Sequence, residues 1–180
     1  MAPVPSVAAD DGRGAHRPHL NDADRPAHPR RWAGRFASGT RASKHVVMLL
    51  TEIDHVAIAV RDLEAAIDYY ERAFGAEVEH REVVESDGVE EALLKVAESY
   101  IQLLTPTRDD SPVAKAIEKR GEGLHHVGYR VADCGVALQA MLDAGATPID
   151  KAPRPGSRGT TVAFIHPKGS FGTLIELVQE

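Results

Sequence analysis

The chain has 180 residues, a length typical of one domain with an extension. Hydrophobic residues make up 43% and charged residues 27%, so a core can be buried, but no apolar run approaches the roughly 18 residues of a membrane span. The one cysteine excludes a disulfide framework and a multi-cysteine zinc site. We therefore predict a soluble protein of a reducing compartment, with no membrane partner, and expect it in the cytoplasm.

The net charge of −6 is unevenly distributed along the chain. Residues 1–47 hold eight basic and four acidic residues, whereas the rest of the chain holds 13 basic and 23 acidic residues. An acidic body repels phosphate backbones, so a nucleic-acid partner is not expected.

The first segment, residues 1–47, is rich in Ala, Arg, Pro and His and has no apolar periodicity. Such a composition cannot bury enough apolar surface to offset the entropy of ordering, so we predict a disordered N-terminal tail. A metal-binding tail is the alternative, because four of the nine histidines fall here, at His16, His19, His28 and His45. A disordered arm, or a start codon placed upstream of Met48, is favoured over it.

Two stretches of the body are similar, which indicates an internal duplication. IDHVAIAV at 53–60 matches LHHVGYRV at 124–131, and the alignment pairs His55 with His126. Each run is eight residues long and rich in β-branched residues, which is typical of a strand. The body is therefore predicted to contain two equivalent modules.

Each of the two strands is followed by a predicted helix. An aspartate stands at each N-cap position, Asp62 and Asp133, and a glycine ends each helix, Gly75 and Gly145. Strand-like runs then follow at 77–84, 89–96 and 99–105 in the first half, and near 147–150, at 160–166 and at 172–178 in the second. Both halves read βαβββ, over about 51–107 and 122–180, joined by a helix at 111–121 that begins with Ser-Pro. We predict an α+β fold over residues 48–180.

Four polar residues, two from each half, lie on strand faces where their neighbours are mostly small or apolar: His55, Gln102, His126 and Glu176. Ala57 and Gly128, two residues after the histidines, leave room above that face, so we predict a concave site. Two nitrogen and two oxygen donors suit a six-coordinate divalent ion, with Co, Ni, Mn, Fe and Zn all open. A single strand histidine is more often a core or surface group, and the symmetric set of four favours the metal site.

The body resembles the vicinal oxygen chelate superfamily and, within it, the methylmalonyl-CoA epimerases. Three motifs carry the resemblance: IDHVAIAVRDLEAAIDYYERAFG, GLHHVGYRV and HPKGSFGTLIELVQ. It implies that the two βαβββ modules form a half-barrel around one metal ion, with the ligands at His55, Gln102, His126 and Glu176. Gln102 favours an epimerase, because glyoxalase I generally has a glutamate at that place.

The resemblance also implies a catalytic acid three residues after a glycine, which is Glu91 after Gly88. Its neighbour Glu90 points to the opposite face, so the assignment depends on strand register, and we predict Glu91. The implied reaction is the epimerisation of (2R)- and (2S)-methylmalonyl-CoA, in which Glu91 and Glu176 remove and return the C2 proton through a metal-stabilised enolate. The family favours Co²⁺, with Mn²⁺, Ni²⁺ and Zn²⁺ as alternatives, and a homodimer.

Two other functions remain open on the sequence. One is another metalloenzyme of the same fold, a glyoxalase I-like lyase or an Fe(II) dioxygenase, and the other is a non-catalytic binding protein. The binding protein is disfavoured because such members typically lose the metal ligands, and all four are present. His125 is either a contact of His126 or an outward-facing group.

Overall fold

A computed structural model describes residues 49–180. In chain order its elements are β1 Leu50–Ala59, α1 Leu63–Phe74, β2 Val78–Val84, β3 Val89–Val96, β4 Ser99–Pro106, α2 Pro112–Arg120, β5 Gly123–Val131, α3 Cys134–Asp143, β6 Arg154–Pro155, β7 Thr161–Ile165 and β8 Ile175–Gln179. Two 3₁₀ turns, Ser157–Gly159 and Pro167–Gly169, lie on either side of β7. The predicted tail at 1–47 and its four histidines lie outside the described residues.

The strands form one mixed sheet in the order β2-β3-β4-β1-β5-β8-β7-β6, curled into a half-barrel. β1 pairs with β4 in parallel, β5 pairs with β8 in parallel, and β1 and β5 pair antiparallel with each other at the centre. The two halves are thus related by a pseudo-two-fold axis between β1 and β5. The predicted α+β fold of two βαβββ modules is confirmed.

Local sequence signals determine where the helices begin and end. The Asp62 carboxylate accepts a hydrogen bond from the amide of Ala65 at the start of α1, and Asp133 accepts one from Val136 at the start of α3. Gly75 follows α1 with φ 65°, a left-handed conformation that suits glycine. The helices span 9 to 12 residues, and none within residues 49–180 is long and apolar enough to cross a membrane.

Helices α1 and α3 cover one face of the sheet, and α2 covers part of the other. Leu63 and Ile67 of α1 pack on the face that carries Val60, and α3 packs in the same way on the second module. Helix α2 lies on the opposite, concave face, where Val113 and Ile117 contact a cluster completed by Ala57, Ala59, Val89 and Leu104. One end of the concave face is therefore closed by α2, and the rest remains open to form a site.

The predicted strand near 147–150 is wrong. That segment contributes one isolated bridge, between Pro148 and Ile165, and the edge strand is instead the two-residue β6, which pairs with Thr161 and Val162 of β7. Pro148 has no N–H to donate to a ladder, and the Phe164 amide donates to the Asp150 carboxylate instead of to a backbone carbonyl, so the pairing does not extend into a strand. The last strand also begins at Ile175 rather than at 172, because the chain just before it forms a turn in which the amides of Gly172 and Thr173 donate to the carbonyls of Pro167 and Ser170.

Candidate active site

Strand register brings the four predicted ligand residues to the centre of the sheet. His55 on β1 faces Gly128 on β5, which in turn aligns with Glu176 on β8. By the same symmetry, His126 on β5 faces Ala57, which aligns with Gln102 on β4. A small residue therefore stands opposite each histidine, as the concave site requires. All four side chains are buried.

Three of these side chains meet in a triangle of donor atoms. His55 Nε2 lies 3.0 Å from His126 Nε2 and 2.9 Å from Glu176 Oε2, and His126 Nε2 lies 3.0 Å from the same oxygen. Two donors bound at right angles to one ion at about 2.1 Å are about 3.0 Å apart, so these separations fit neighbouring positions around a divalent cation.

Gln102 supplies the fourth candidate donor. Its Nε2 donates a 2.6 Å hydrogen bond to Glu91 Oε2, and this leaves Gln102 Oε1 buried with no partner. Within residues 49–180, the other buried side-chain polar atoms without partners are Glu91 Oε1 and Arg158 Nε. Since a buried amide oxygen without a partner is costly, the orphaned Oε1 fits a cation ligand. The residues present therefore fit a divalent metal ion.

The register also separates the two candidate acids. Glu91 is 1% exposed and lies on the concave face with Val89 and Leu93, whereas Glu90 lies on the other face and pairs with Arg81. Burial raises the pKa of Glu91, against the opposing effect of its hydrogen bonds with Ser157 and Gln102. A carboxylate with a raised pKa facing a cavity is suited to moving a proton.

Glu176 has the opposite electrostatic environment. Burial alone would raise its pKa, but the hydrogen bonds to His126 and His55 outweigh burial and hold the pKa of Glu176 well below its usual range. Both histidine contacts use Oε2. Oε1 of this carboxylate therefore keeps its lone pairs for another partner.

Asp54 is a functional candidate that the sequence reading missed. It is fully buried, and its Oδ1 accepts a 2.7 Å hydrogen bond from His55 Nδ1. Burial opposes ionisation of Asp54, but His55, Arg158 and Arg130 lower its pKa to about 2. Burial also opposes protonation of His55, yet the hydrogen bonds of Asp54 and Glu176 raise the pKa of His55 to about 9. A carboxylate behind a histidine is the usual device that orients a metal-binding imidazole.

His125 also faces inward, which resolves the alternative left open by the sequence. It lines the cavity, and its Nδ1 lies 2.8 Å from Nδ1 of His126. A register shift is the cause, because Ala57 faces His126 and Ile58 faces Leu124, so His125 has no partner on β1 and the strand bulges. Burial lowers the pKa of His125 to about 4, so the ring is neutral near pH 7.

A cavity of about 140 Å³ opens in front of these residues. Buried polar groups from both modules line it, Glu91 and Gln102 from the first and His125, His126 and Glu176 from the second, and Asp87, Arg154 and Ser157 also line it. The remaining walls are largely apolar and include Val89, Leu104, Val113, Val162, Phe164 and Leu174. A cavity of about 150 Å³ holds a benzene-sized molecule, so this one has room for a small organic group.

The fold and the site define a class of protein. Residues 54–164 match the glyoxalase/bleomycin resistance protein/dioxygenase superfamily. The chain belongs to this superfamily, as the resemblance of its strand and histidine motifs implied.

Relatives within the superfamily are named as epimerases. The ethylmalonyl-CoA/methylmalonyl-CoA epimerase of Cereibacter sphaeroides is 38% identical over 73% of this chain and 99% of its own length, and the mitochondrial methylmalonyl-CoA epimerase of Homo sapiens is 32% identical over 72% and 74%. A variant of the Streptomyces coelicolor methylmalonyl-CoA epimerase in complex with 2-nitronate-propionyl-CoA is 43% identical over 73% of this chain and 98% of that chain, with a TM-score of 0.71.

Proposed function

We propose that this chain is a methylmalonyl-CoA epimerase. The observation that carries the proposal is the pair of buried carboxylates, Glu91 and Glu176, that face one small cavity from opposite modules. Epimerisation removes a proton from one face of a carbon and returns a proton to the other, so it requires two acid/base groups around the substrate. The names of the relatives and the size of the cavity support the same substrate.

The reaction uses the acidity of C2, which lies between a thioester carbonyl and a carboxylate. Glu91 has the higher pKa of the two acids and accepts the C2 proton on its face, through the Oε1 that has no partner in the protein. The amide of Gln102 holds the Glu91 side chain in place. Glu176 is ionised in the resting site, so it first takes up a proton from solvent at Oε1 and then returns that proton to the other face, while Glu91 releases the C2 proton to solvent. The reverse reaction exchanges the two roles.

His55, Gln102, His126 and Glu176 would hold the divalent ion. When bound, the ion supplies Lewis-acid stabilisation of the negative charge that develops on the substrate, an effect of several kcal/mol. Two imidazoles, an amide oxygen and a carboxylate are compatible with Co²⁺, which we propose as the ion, and equally with Mn²⁺, Ni²⁺ or Zn²⁺. The apolar walls of the cavity exclude water and so strengthen each of these interactions.

We propose in addition that residues 48–180 are the catalytic domain, that the enzyme is a homodimer and that it acts in the cytoplasm. The superfamily match lies within this range, which supports the domain boundary. The exposed aromatic residues Tyr69 and Phe74 on α1 are compatible with a contact between two copies. Sedimentation equilibrium and cell fractionation test the last two statements.

The test of the function is exchange of the C2 proton of methylmalonyl-CoA in deuterated water, followed by NMR without metal and with Co²⁺, Mn²⁺, Ni²⁺ or Zn²⁺. Glu91→Gln keeps the side-chain volume but cannot accept the proton, so we expect exchange to slow by about 10²- to 10⁴-fold. Glu90→Gln is the matched control, since Glu90 lies on the opposite face of the same strand, and it should keep the wild-type rate.

Three outcomes separate the parts of the proposal. Metal-dependent exchange that Glu91→Gln abolishes supports both the reaction and the role of Glu91. Equal rates in Glu91→Gln and Glu90→Gln would remove Glu91 from the mechanism. If wild-type protein catalyses no exchange with any of the four ions, the epimerase proposal fails, and turnover of a hemithioacetal would then identify a glyoxalase I-like lyase.

A further inference from the structure

The loop between β6 and β7 crosses the concave face and inserts Arg158 beneath the site. The guanidinium Nη2 lies 2.7 Å from Asp54 Oδ1, although the two residues are 104 positions apart in the chain. Its Cζ lies 5.0 Å from the centre of the Tyr100 ring, and the side chain is 15% exposed. Arg158 is therefore a largely buried cation held against a buried carboxylate.

The two oxygens of Asp54 have separate partners. Oδ1 is shared by His55 Nδ1 and Arg158 Nη2, each at 2.7 Å, and Oδ2 accepts from Arg130 at 3.0 and 3.2 Å. Arg158 thus contacts the same oxygen that orients the His55 ring, and Arg130 contacts the other. Rotation of the Asp54 carboxylate would break its hydrogen bond to His55. The Arg158 guanidinium prevents this rotation and so keeps the His55 ring in place.

Arg158 has a left-handed backbone conformation, which is unfavourable for a residue with a side chain. Its φ is 55° and its ψ is 17°, the left-handed region that glycine adopts freely and arginine does not. Glycines stand close by, at 156 and 159, yet the left-handed position itself carries an arginine. Backbone conformations of this kind cost energy and cluster at functional sites, and here the Arg158 side chain is also largely buried against Asp54. The Arg158 amide also donates a 3.0 Å hydrogen bond to Glu82 Oε2, which anchors the loop to β2.

We propose that Arg158 is a positioning residue for the metal site. Arg158 holds the Asp54 carboxylate, which accepts a hydrogen bond from His55 Nδ1. The opposite ring nitrogen, Nε2, then faces His126 and Glu176. The inference rests on the proposed function, because it assigns Arg158 to the ion that these residues would bind. A metal-binding histidine loses about ten- to a hundredfold in affinity when its outer partner is removed.

The test is isothermal titration of the purified protein with Co²⁺, without substrate. Arg158→Gly removes the guanidinium and suits the left-handed backbone, so the variant should fold, and we expect Co²⁺ to bind about ten- to a hundredfold more weakly. Arg158→Lys keeps the positive charge and should recover most of the affinity. Arg108→Gln, which changes an exposed loop arginine paired with Asp110, is the control and should bind as the wild type does.

Urea unfolding of each metal-free variant distinguishes positioning from a purely structural role. A structural role lowers the unfolding free energy but leaves the Co²⁺ dissociation constant unchanged, and that result in Arg158→Gly would overturn the inference. If the wild type itself binds no Co²⁺, the metal assignment of the proposed function fails and the inference falls with it. Wild-type affinity for Co²⁺ therefore tells the two failures apart.

Discussion

At the scale of single residues, the site depends on which side chains leave space and which fill it. Gly128 faces His55 across the central strand pair, and a Cβ built there would overlap the ring carbon Cε1 of His55. Gly128 therefore makes the room that the His55 ring occupies between Asp54 and Glu176. The preference for glycine at this position comes from a close approach rather than from backbone conformation, because its φ is not in the left-handed region.

We predict that Gly128→Ala displaces the His55 imidazole. The methyl group overpacks the site, so the unfolding free energy should fall by about 1–3 kcal/mol, and divalent metal affinity should fall by tenfold or more because His55 Nε2 moves. Urea unfolding and titration with Co²⁺ measure the two effects.

The matched control is Gly135→Ala on α3, where the nearest atom to the new Cβ is Asp133 Oδ1 at 3.4 Å. Alanine is the better helix former, so this variant should be as stable as the wild type or more so, with unchanged metal binding. If Gly128→Ala binds Co²⁺ as tightly as Gly135→Ala does, close packing at His55 does not control the site.

At the scale of elements, the helix ends can be predicted from the sequence because the capping residues lie next to the helices that they end. The aspartates before α1 and α3 cap free amides in the predicted way, and the glycine after α1 has the predicted left-handed conformation. The side-chain directions along a strand are harder to predict from local sequence. Alternation shows which residues share a face only where the pairing with the next strand is regular. Register shifts in β1·β5 interrupt the alternation at Asp54 and at His125, and both residues turn inward where simple alternation would place them outside.

The cap at the start of α1 gives a prediction at this scale. Asp62→Ala leaves the Ala65 amide without its 2.9 Å hydrogen bond, so the unfolding free energy should fall by about 1 kcal/mol. Asp62→Asn is the control, because asparagine caps helices nearly as well. Thermal and urea unfolding measure the difference. Equal stability of the alanine and asparagine variants would show that the cap does not stabilise the domain.

At the scale of the whole molecule, the site couples protonation, metal binding and stability. In the metal-free protein a protonated His55 lies between Asp54 and Glu176, which raises its pKa to about 9. The stabilisation from this arrangement is fully present below pH 6.5 and is lost as the pH rises through 9. Asp54, with a pKa lowered to about 2, contributes stability above pH 3.8 that is lost as the pH falls towards 2.

We predict opposite pH trends for the metal-free and metal-bound protein. In EDTA the unfolding free energy should fall by about 2 kcal/mol between pH 6.5 and 8.5, because the unfolded chain loses its imidazole proton over this range while folded His55 keeps its own. The added stabilisation by Co²⁺ should grow over the same range, because the ion must displace that proton from the imidazole. Urea unfolding at several pH values measures both trends. His55→Gln has no imidazole to titrate, and a wild-type-like slope in this variant would contradict the assignment.

The sequence by itself determined the features that rest on local chemistry and on the repeat. The resemblance to the family selected Glu91 over Glu90, because the neighbours of the two glutamates do not distinguish them. The duplication, the caps of α1 and α3 and the alternation along β4 and β8 lead to the two modules and to the inward set His55, Gln102, His126 and Glu176. These signals are readable because each depends on neighbours within a few positions or on the comparison of one half with the other.

The tertiary structure alone decided what depends on distant partners. The bulge that turns His125 inward exists only in the pairing of β5 with β1, and the edge strand at 154–155 rather than 147–150 depends on β7. The contact of Arg158 with Asp54 joins residues 104 positions apart through a loop in the left-handed conformation. No local pattern encodes such a contact, because its free energy comes from a buried charge meeting its partner only after the sheet has closed.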